Sequence, residues 1–205
     1  MRPTTNTYTI TATDADGISV SQTPTGAGNL TITGALSSGG VASIPTSQHV
    51  TVTCAGSDAA RTFLITGTDC CGNLQTESIA GSAISTTTGL KNFKTVTSVF
   101  VDAATAGAIT VGWVATLETA WIPLDHYQAP FNYSYQVDIT TATFTVEGTL
   151  DDVQDSSITP LPFTVQASGT VDIANSSIVP SRAVRVKITS WTSGTVTFKV
   201  LQAGY

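Results

Sequence analysis

The side chains that could carry chemistry are few and scattered along this 205-residue sequence. They include three cysteines, Cys54, Cys70 and Cys71, and two histidines, His49 and His126. A structural zinc site needs four such ligands, with cysteines spaced as in C-x-x-C, and neither the adjacent cysteines nor the isolated histidines fit. Because neighbouring cysteines rarely bridge each other and an odd number cannot pair completely, we expect reduced structural thiols. A crosslink from Cys54 to Cys70 or Cys71 is the alternative.

Paired carboxylates are a second possible source of chemistry, because two of them in a cleft can act as acid and base. Asp151 and Asp152 follow Glu147 closely, but successive strand residues point to opposite faces, so this pair predicts a solvated turn. Asp14 and Asp16 resemble the start of a calcium loop, yet the bidentate Glu that such a loop requires further on is missing. We therefore expect no metal site.

A nucleophilic triad is not indicated either. The sequence has no G-x-S-x-G motif and no glycine-rich nucleotide loop. His126 stands beside Asp125, which could pair with it, but no nucleophile lies near them in the sequence. We expect no catalytic residue, no cofactor and no enzyme activity.

The composition favours strands. Only 11% of residues are charged, and Thr supplies about a fifth of the chain. Thr is β-branched and suits a pleated surface, so this composition argues against helices. The net charge is −6 and the eight Lys and Arg are scattered singly, without the basic stripe that nucleic-acid binding requires.

Two further absences bear on location. No run of eighteen apolar residues is present, so we expect no membrane span. The N-terminal MRPTTNTYTI has no apolar signal region, and we therefore expect synthesis and assembly in a cytoplasm.

Alternation of apolar and polar residues with period two recurs from end to end, which indicates strands with one buried face. The candidate strands are 7–13, 18–23, 29–34, 49–54, 62–68, 74–80, 95–101 and 108–115, followed by 133–139, 142–149, 162–167, 183–190 and 194–201. A strand that hides one face needs a second sheet to cover it. We predict an all-β protein of two antiparallel β-sandwich or jelly-roll-like modules in tandem, 1–115 and 133–205, with a joint at 116–132.

Local repeats indicate hairpins. TYTITATDADG at 7–17 and TFLITGTDCCG at 62–72 share a strand followed by an Asp-containing turn that ends in Gly. Asp can hydrogen-bond the backbone of its own turn and Gly accepts positive φ, so both stretches predict hairpins. The segments 95–114 and 183–202 each read as strand, short loop, Gly and strand, and we interpret them as closing hairpins of the two modules.

The joint is rich in aromatic residues and proline. We assign Trp113 and Phe131, at its margins, to packing. Trp121 and Tyr127 are candidate interface residues, because Trp and Tyr are enriched in binding hot spots. The alternative is that the joint packs over the ends of the sandwiches.

Several longer phrases resemble tailed-bacteriophage virion proteins. HVTVTCAGSDAARTFLITGTDCCGNLQTESIAG and NFKTVTSVFVDAATAGAITVGW are similar to β-sandwich segments of those proteins. PLDHYQAPFNYSYQVDI, ATFTVEGTLDDVQD and PSRAVRVKITSWTSGTVTFKVLQAG resemble another recurrent phage segment. Together these phrases cover most of residues 49–204.

The resemblance implies a virion protein without an active site, assembled in the host cytoplasm. Among virion β-sandwich proteins of this size, it favours head decoration or cement, in which dimers or trimers bridge subunits of the major capsid protein. The expected partners are therefore the major capsid protein and copies of the chain itself, with no nucleic acid and no membrane. The alternatives are a tail or fibre-base component, or a carbohydrate-binding module in which Trp121 and Tyr127 stack on a sugar.

Overall fold

The computed structural model describes residues 3–70, 72–127, 130–155, 158 and 160–202, and these residues contain strands but no helix. The described residues form fifteen strands, β1 Thr4–Thr9, β2 Asp14–Gln22, β3 Gly28–Asn29, β4 Ser37–Ser38, β5 Val41–Cys54, β6 Thr62–Thr68, β7 Leu74–Ala80, β8 Thr86–Val101, β9 Ile109–Val114, β10 Leu117–Glu118, β11 Ile122–Pro123, β12 Tyr133–Thr149, β13 Phe163–Gly169, β14 Ile173–Ser177 and β15 Ala183–Leu201. The predicted all-β class is confirmed.

The described strands make two antiparallel sheets. One has the order β1-β15-β12-β13, with β10 and β11 also paired to β15 and β14 to β12. The other has the order β2-β9-β5-β8-β6-β7, with β3 paired to β8 and β4 to β5. The chain divides into two compact units, a discontinuous unit of residues 1–10 and 118–205 and a continuous unit of residues 11–117.

This division differs from the modules expected from the sequence. Strand β1 pairs with β15, from Thr4 opposite Val200 to Thr9 opposite Thr195, so Thr4–Thr9 belongs to the sheet of the C-terminal strands. The expected joint at 116–132 supplies β10 and β11 to that same sheet. A pairing across 190 residues leaves no local sequence pattern, which is why the alternation at 7–13 suggested an N-terminal module. The jelly-roll connectivity stays a prediction.

The sheet of the discontinuous unit must bend back on itself. Ser177 pairs with Tyr133 at the start of β12, whereas Ala183 pairs with Thr149 at its end. The six residue steps from 177 to 183 reach at most roughly 20 Å, but the sixteen steps of a straight β12 would span roughly 50 Å. Strands β12 and β15 therefore fold over, and the two halves of one sheet face each other as a sandwich.

The bend lies where the register of β12 and β15 shifts, between Ile139 and Phe144. Such irregularities increase local twist and let a strand turn a corner. Gly194 of β15 has φ 84° there, and a Cβ at this position would lie 2.3 Å from the Thr140 hydroxyl. The predicted closing hairpin at 183–202 is therefore wrong, because Gly194 bends a continuous strand.

The continuous unit also contains long strands whose register is interrupted part-way along. The first half of β5 pairs with β8 at Val96 and Thr95, and after an irregular stretch between Ser43 and Gln48 its second half pairs with β8 and β9. Strand β6 pairs with β8 from Thr95 to Val101. The apolar faces enclose a core that includes fully buried Phe63, Ile65, Phe93 and Val99. Since β8 and β9 do not pair in the described sheet, the predicted hairpin at 95–114 is wrong too.

The two copies of the local repeat have different outcomes. At the 62–72 copy, β6 and β7 form the predicted hairpin, and the Asp69 carboxylate accepts hydrogen bonds from the Asn73 backbone (2.9 Å) and side chain (3.1 Å). Gly72 has φ 87° in that turn. The copy at 7–17 is no hairpin, because β1 pairs with β15 and β2 with β9.

Threonine hydroxyls join neighbouring strands in both units. The cross-strand pairs with Oγ1 to Oγ1 distances are Thr7 and Thr197 (3.0 Å), Thr53 and Thr86 (2.7 Å), and Thr68 and Thr95 (2.7 Å). Each such pair contributes a few tenths of a kcal/mol up to about 1 kcal/mol. The Thr-rich composition thus links strands without charge.

The continuous unit begins and ends at one place. The buried Trp113 indole donates from Nε1 to the Ala12 carbonyl (2.8 Å), and the Ala115 amide donates to the Thr13 hydroxyl (3.0 Å). The expected packing role of Trp113 is confirmed. Residues 11–13 and 113–115 therefore lie side by side, so the unit is a closed segment of chain.

Close approach of β2 to β9 gives a testable consequence. A Cβ at Gly112 would lie 1.9 Å from the Asp14 carbonyl oxygen, whereas a Cβ at Gly26 meets nothing within 4 Å. Gly112→Ala should lower the free energy of unfolding by about 1–3 kcal/mol or more, because the backbone must shift. Urea unfolding measures this change. Gly26→Ala is the matched control, and equal effects of the two variants would contradict the described packing.

Candidate functional site

Trp121 lies in the segment that runs beside β15. Thr119 is held there by two hydrogen bonds to Val186, one from its own amide (3.0 Å) and one accepted by its hydroxyl (3.1 Å). Two residues further on, the half-buried Trp121 ring faces the Arg185 guanidinium, 4.5 Å from the ring centroid. A cation over an indole face is attracted by the negative face of the ring. Trp121 therefore packs on the sheet.

Arg185 is also the centre of an ionic cluster. Its guanidinium contacts Glu147 (2.7 Å) and Glu118 (2.7 Å), and Lys187 contacts the second oxygen of Glu118 (2.9 Å). The Arg185 and Glu147 side chains are each 14% exposed, so water screens this pair far less than a surface pair. Two cations balance two carboxylates. The cluster fixes β10 to the sheet and presents little free charge.

Tyr127 has a different environment from Trp121. It is 87% exposed, its amide donates to the Asp125 carboxylate (3.1 Å), and its ring lies 4.1 Å from the His126 ring. Gln202 holds Asp125 by accepting from its amide (2.7 Å) and donating to its carbonyl (2.8 Å). Of the two candidate interface residues, Tyr127 is thus the one whose side chain is largely exposed to solvent.

The acidic pair predicted to form a solvated turn holds loops together. The Asp151 carboxylate accepts from the Leu161 amide (2.6 Å), and the Thr149 hydroxyl donates to the Leu161 carbonyl (3.0 Å). Asp152 pairs with Arg182 (2.9 Å), whose amide donates to the Thr149 carbonyl (2.8 Å). The loops between β12 and β13 and between β14 and β15 therefore meet around Thr149.

These loops carry a set of exposed apolar side chains that the sequence reading missed. We define the aliphatic loop set as Leu150, Leu161, Ile178 and Val179, which are 63%, 78%, 78% and 50% exposed. The sequence contains a feature that could have indicated them. Aliphatic residues stand beside proline in TPLPF and SSIVPS, where the alternation of apolar and polar residues is interrupted. Exposed apolar clusters rimmed by polar groups are typical of interaction surfaces.

A second exposed feature lies on the sheet of the same unit. Lys199 of β15 donates to Asp138 of β12 (2.9 Å), and Gln136 donates to the same carboxylate (2.6 Å). The hydrogen bond from the Lys199 ammonium holds the pKa of Asp138 below its usual value. The neighbouring exposed residues of this face, which include Ser134, Ala174 and Leu201, are uncharged.

The described cysteines do not resemble a metal or redox centre. Cys54 is a buried thiol and Cys70 an exposed one, and Cys71 lies outside the described residues. No group of three or more His, Cys, Asp or Glu side chains placed to hold a metal ion occurs in the part of the chain that the structure describes. Nor does that part contain a helix long and apolar enough to cross a membrane.

Comparison with known proteins returned no relatives. No protein-family model, no curated protein and no solved structure matches the chain.

The two aromatic candidates should differ in their effect on stability. Trp121→Ala removes the surface that faces Arg185 and should lower the free energy of unfolding by about 1–2 kcal/mol. Tyr127→Ala should change it by less than about 0.5 kcal/mol, because its side chain is exposed. Chemical denaturation of both variants measures the difference. A Tyr127→Ala loss as large as that of Trp121→Ala would contradict the described burial.

The Asp138–Lys199 pair predicts a pH dependence. Because the pKa of Asp138 in the folded protein lies below its ordinary value of 3.8, the contribution of the pair to stability is complete above that value. The contribution is lost as the pH falls through the lowered folded pKa. Titration of the carboxyl carbon by NMR should show this depressed pKa, and Lys199→Met should raise it toward 3.8. An unchanged pKa in the variant would assign the shift to another group.

Proposed function

We propose that the chain is a decoration, or cement, protein of a tailed-bacteriophage head. It binds the outside of the capsid and stabilises contacts between subunits of the major capsid protein. The resemblance of several sequence phrases to phage virion proteins supports this proposal. The described residues add a scaffold of strands, with balanced ionic pairs and several exposed apolar side chains.

The observation that carries the proposal is the aliphatic loop set. Its four side chains are well exposed, yet the loops that bear them are tied down by Asp151, Asp152 and Arg182. A surface that is apolar and already ordered loses little conformational entropy on binding. This combination suits attachment to another protein surface.

The electrostatics support the same mode of attachment. The least exposed of the described ion pairs balance one another within the Arg185 cluster, and only 11% of residues are charged. Attachment therefore depends on apolar area, Tyr127 and hydrogen bonds rather than on long-range attraction. Oligomerisation into dimers or trimers adds avidity, since linked weak sites bind together.

Titration of the purified chain onto heads prepared without it tests the proposal. We expect saturation at hundreds of copies per particle, with an affinity that changes little as salt is raised. Steep release by salt would contradict apolar attachment. Saturation at a handful of copies would instead favour a tail or fibre-base position.

Variants locate the binding surface. A double substitution, Leu161→Asp with Ile178→Asp, should weaken head binding by about 2 kcal/mol or more, because it places charge in the buried part of an interface. Leu74→Asp is the matched control, since Leu74 is 83% exposed but lies in the continuous unit. Tyr127→Ala should also weaken binding. An equal loss of head-binding affinity in the Leu74→Asp control would show that the aliphatic loop set is not the contact surface.

A further inference from the structure

We infer that the outer face of the discontinuous unit holds a binding groove for a neutral linear oligosaccharide. The groove has a volume of about 580 Å³ and crosses strands β1, β15, β12 and β14. This size lies within the usual range for ligand sites in proteins. It shares no residue with the aliphatic loop set, so it stands apart from the proposed attachment to a capsid.

The groove floor consists of two rows of side chains that run across the strands. The register places Thr5 opposite Lys199, Lys199 opposite Gln136, and Gln136 opposite Ala174. The second row pairs Leu201 with Ser134 and Ser134 with Ser176, and Pro3 lies at its β1 end. Four strands span roughly 14 Å and the rows lie roughly 7 Å apart, which gives a long, shallow floor.

The floor presents both polar and apolar groups. Hydroxyls of Thr5, Ser134 and Ser176 are exposed, as are the apolar surfaces of Pro3 and Leu201. A pyranose ring has the matching character, with hydroxyls around its rim and C–H groups on its two faces. The spacing of strands is close to the length of one sugar unit, so successive units can meet successive strands.

The charge of the described lining argues against charged ligands. Lys199 is the only cation among the described lining residues, and it already donates to Asp138, which is not one of them, at 2.9 Å. The pair leaves no free charge on Lys199. A phosphate chain needs several free cations, and the described lining residues do not provide them. A neutral polyhydroxyl ligand needs no free cation and can bond the exposed hydroxyls of Thr5, Ser134 and Ser176.

The direction of the groove argues against a peptide. An added peptide strand binds along a sheet edge, parallel or antiparallel to the existing strands, where unpaired backbone groups are available. Here the groove crosses the face, where the backbone groups of β15 and β12 are already used in pairing. Side-chain recognition of a saccharide fits this geometry.

The test uses the full chain and three neutral hexasaccharides, cellohexaose, chitohexaose and maltohexaose, in separate NMR titrations. We expect saturable shifts for at least one of them, confined to residues that line the groove. Linear polyphosphate and an extended Thr-Val hexapeptide are the competing probes. Binding by none of the three saccharides, or tighter binding of either competing probe, would overturn the inference.

Two groove-filling variants on different strands keep the test independent of folding. Ser134→Trp and Ala174→Trp both replace exposed residues of the floor and should each weaken saccharide binding at least about tenfold. Thr195→Trp is the matched control, because Thr195 is exposed on the same face of β15 but does not line the groove. Native-like spectra of each variant verify folding. A loss in the control equal to that in the groove variants would also overturn the assignment.

Discussion

The antiparallel ladder between β12 and β15 is the constraint on which the discontinuous unit depends. It joins Ser134 to Leu201 at one end and Thr149 to Ala183 at the other, and it bends between them. Strands β1 and β14 pair with one half of the ladder, and strands β10, β11 and β13 pair with the other half. Both halves belong to the same two strands, so the bend determines which residues face the core. It also determines where the loops around Thr149 meet and which face of the sheet is exposed to solvent.

The sequence was informative wherever structure is local. The β6–β7 hairpin matches its predicted strands, 62–68 and 74–80, because Asp69 and Gly72 determine the turn within five residues. The same reasoning failed for β15, since a Gly that follows Trp-Thr-Ser is as typical of a turn as of a bend in a continuous strand. It also failed for β1, whose partner is distant along the chain. Pairing partners of a strand are set by tertiary packing, which period-two alternation does not encode.

The candidate site was predictable to a smaller degree. Aromatic enrichment drew attention to the segment 116–132, but residue type alone could not separate Trp121, which packs beside Arg185, from Tyr127, which is exposed. The exposure of Leu161 and Ile178 depends on how the β12–β13 and β14–β15 loops meet. The groove depends on the pairing of Thr5 with Lys199, and this juxtaposition exists only once β1 has joined the far end of the chain.

Placing β1 in the sheet of β15 has a consequence for the order of events during synthesis. Residues 11–117 form a closed segment whose two ends lie side by side, so this unit can complete its pairing as soon as it leaves the ribosome. Strand β1 emerges before this unit, yet its partner residues 195–200 emerge only after it. The Thr-rich β1 must therefore remain without these partners while residues 11–194 are made, and its side chains are neutral. Closure of this long loop is a non-local step, so the sheet edge formed by β1 should be among the last parts of the discontinuous unit to form.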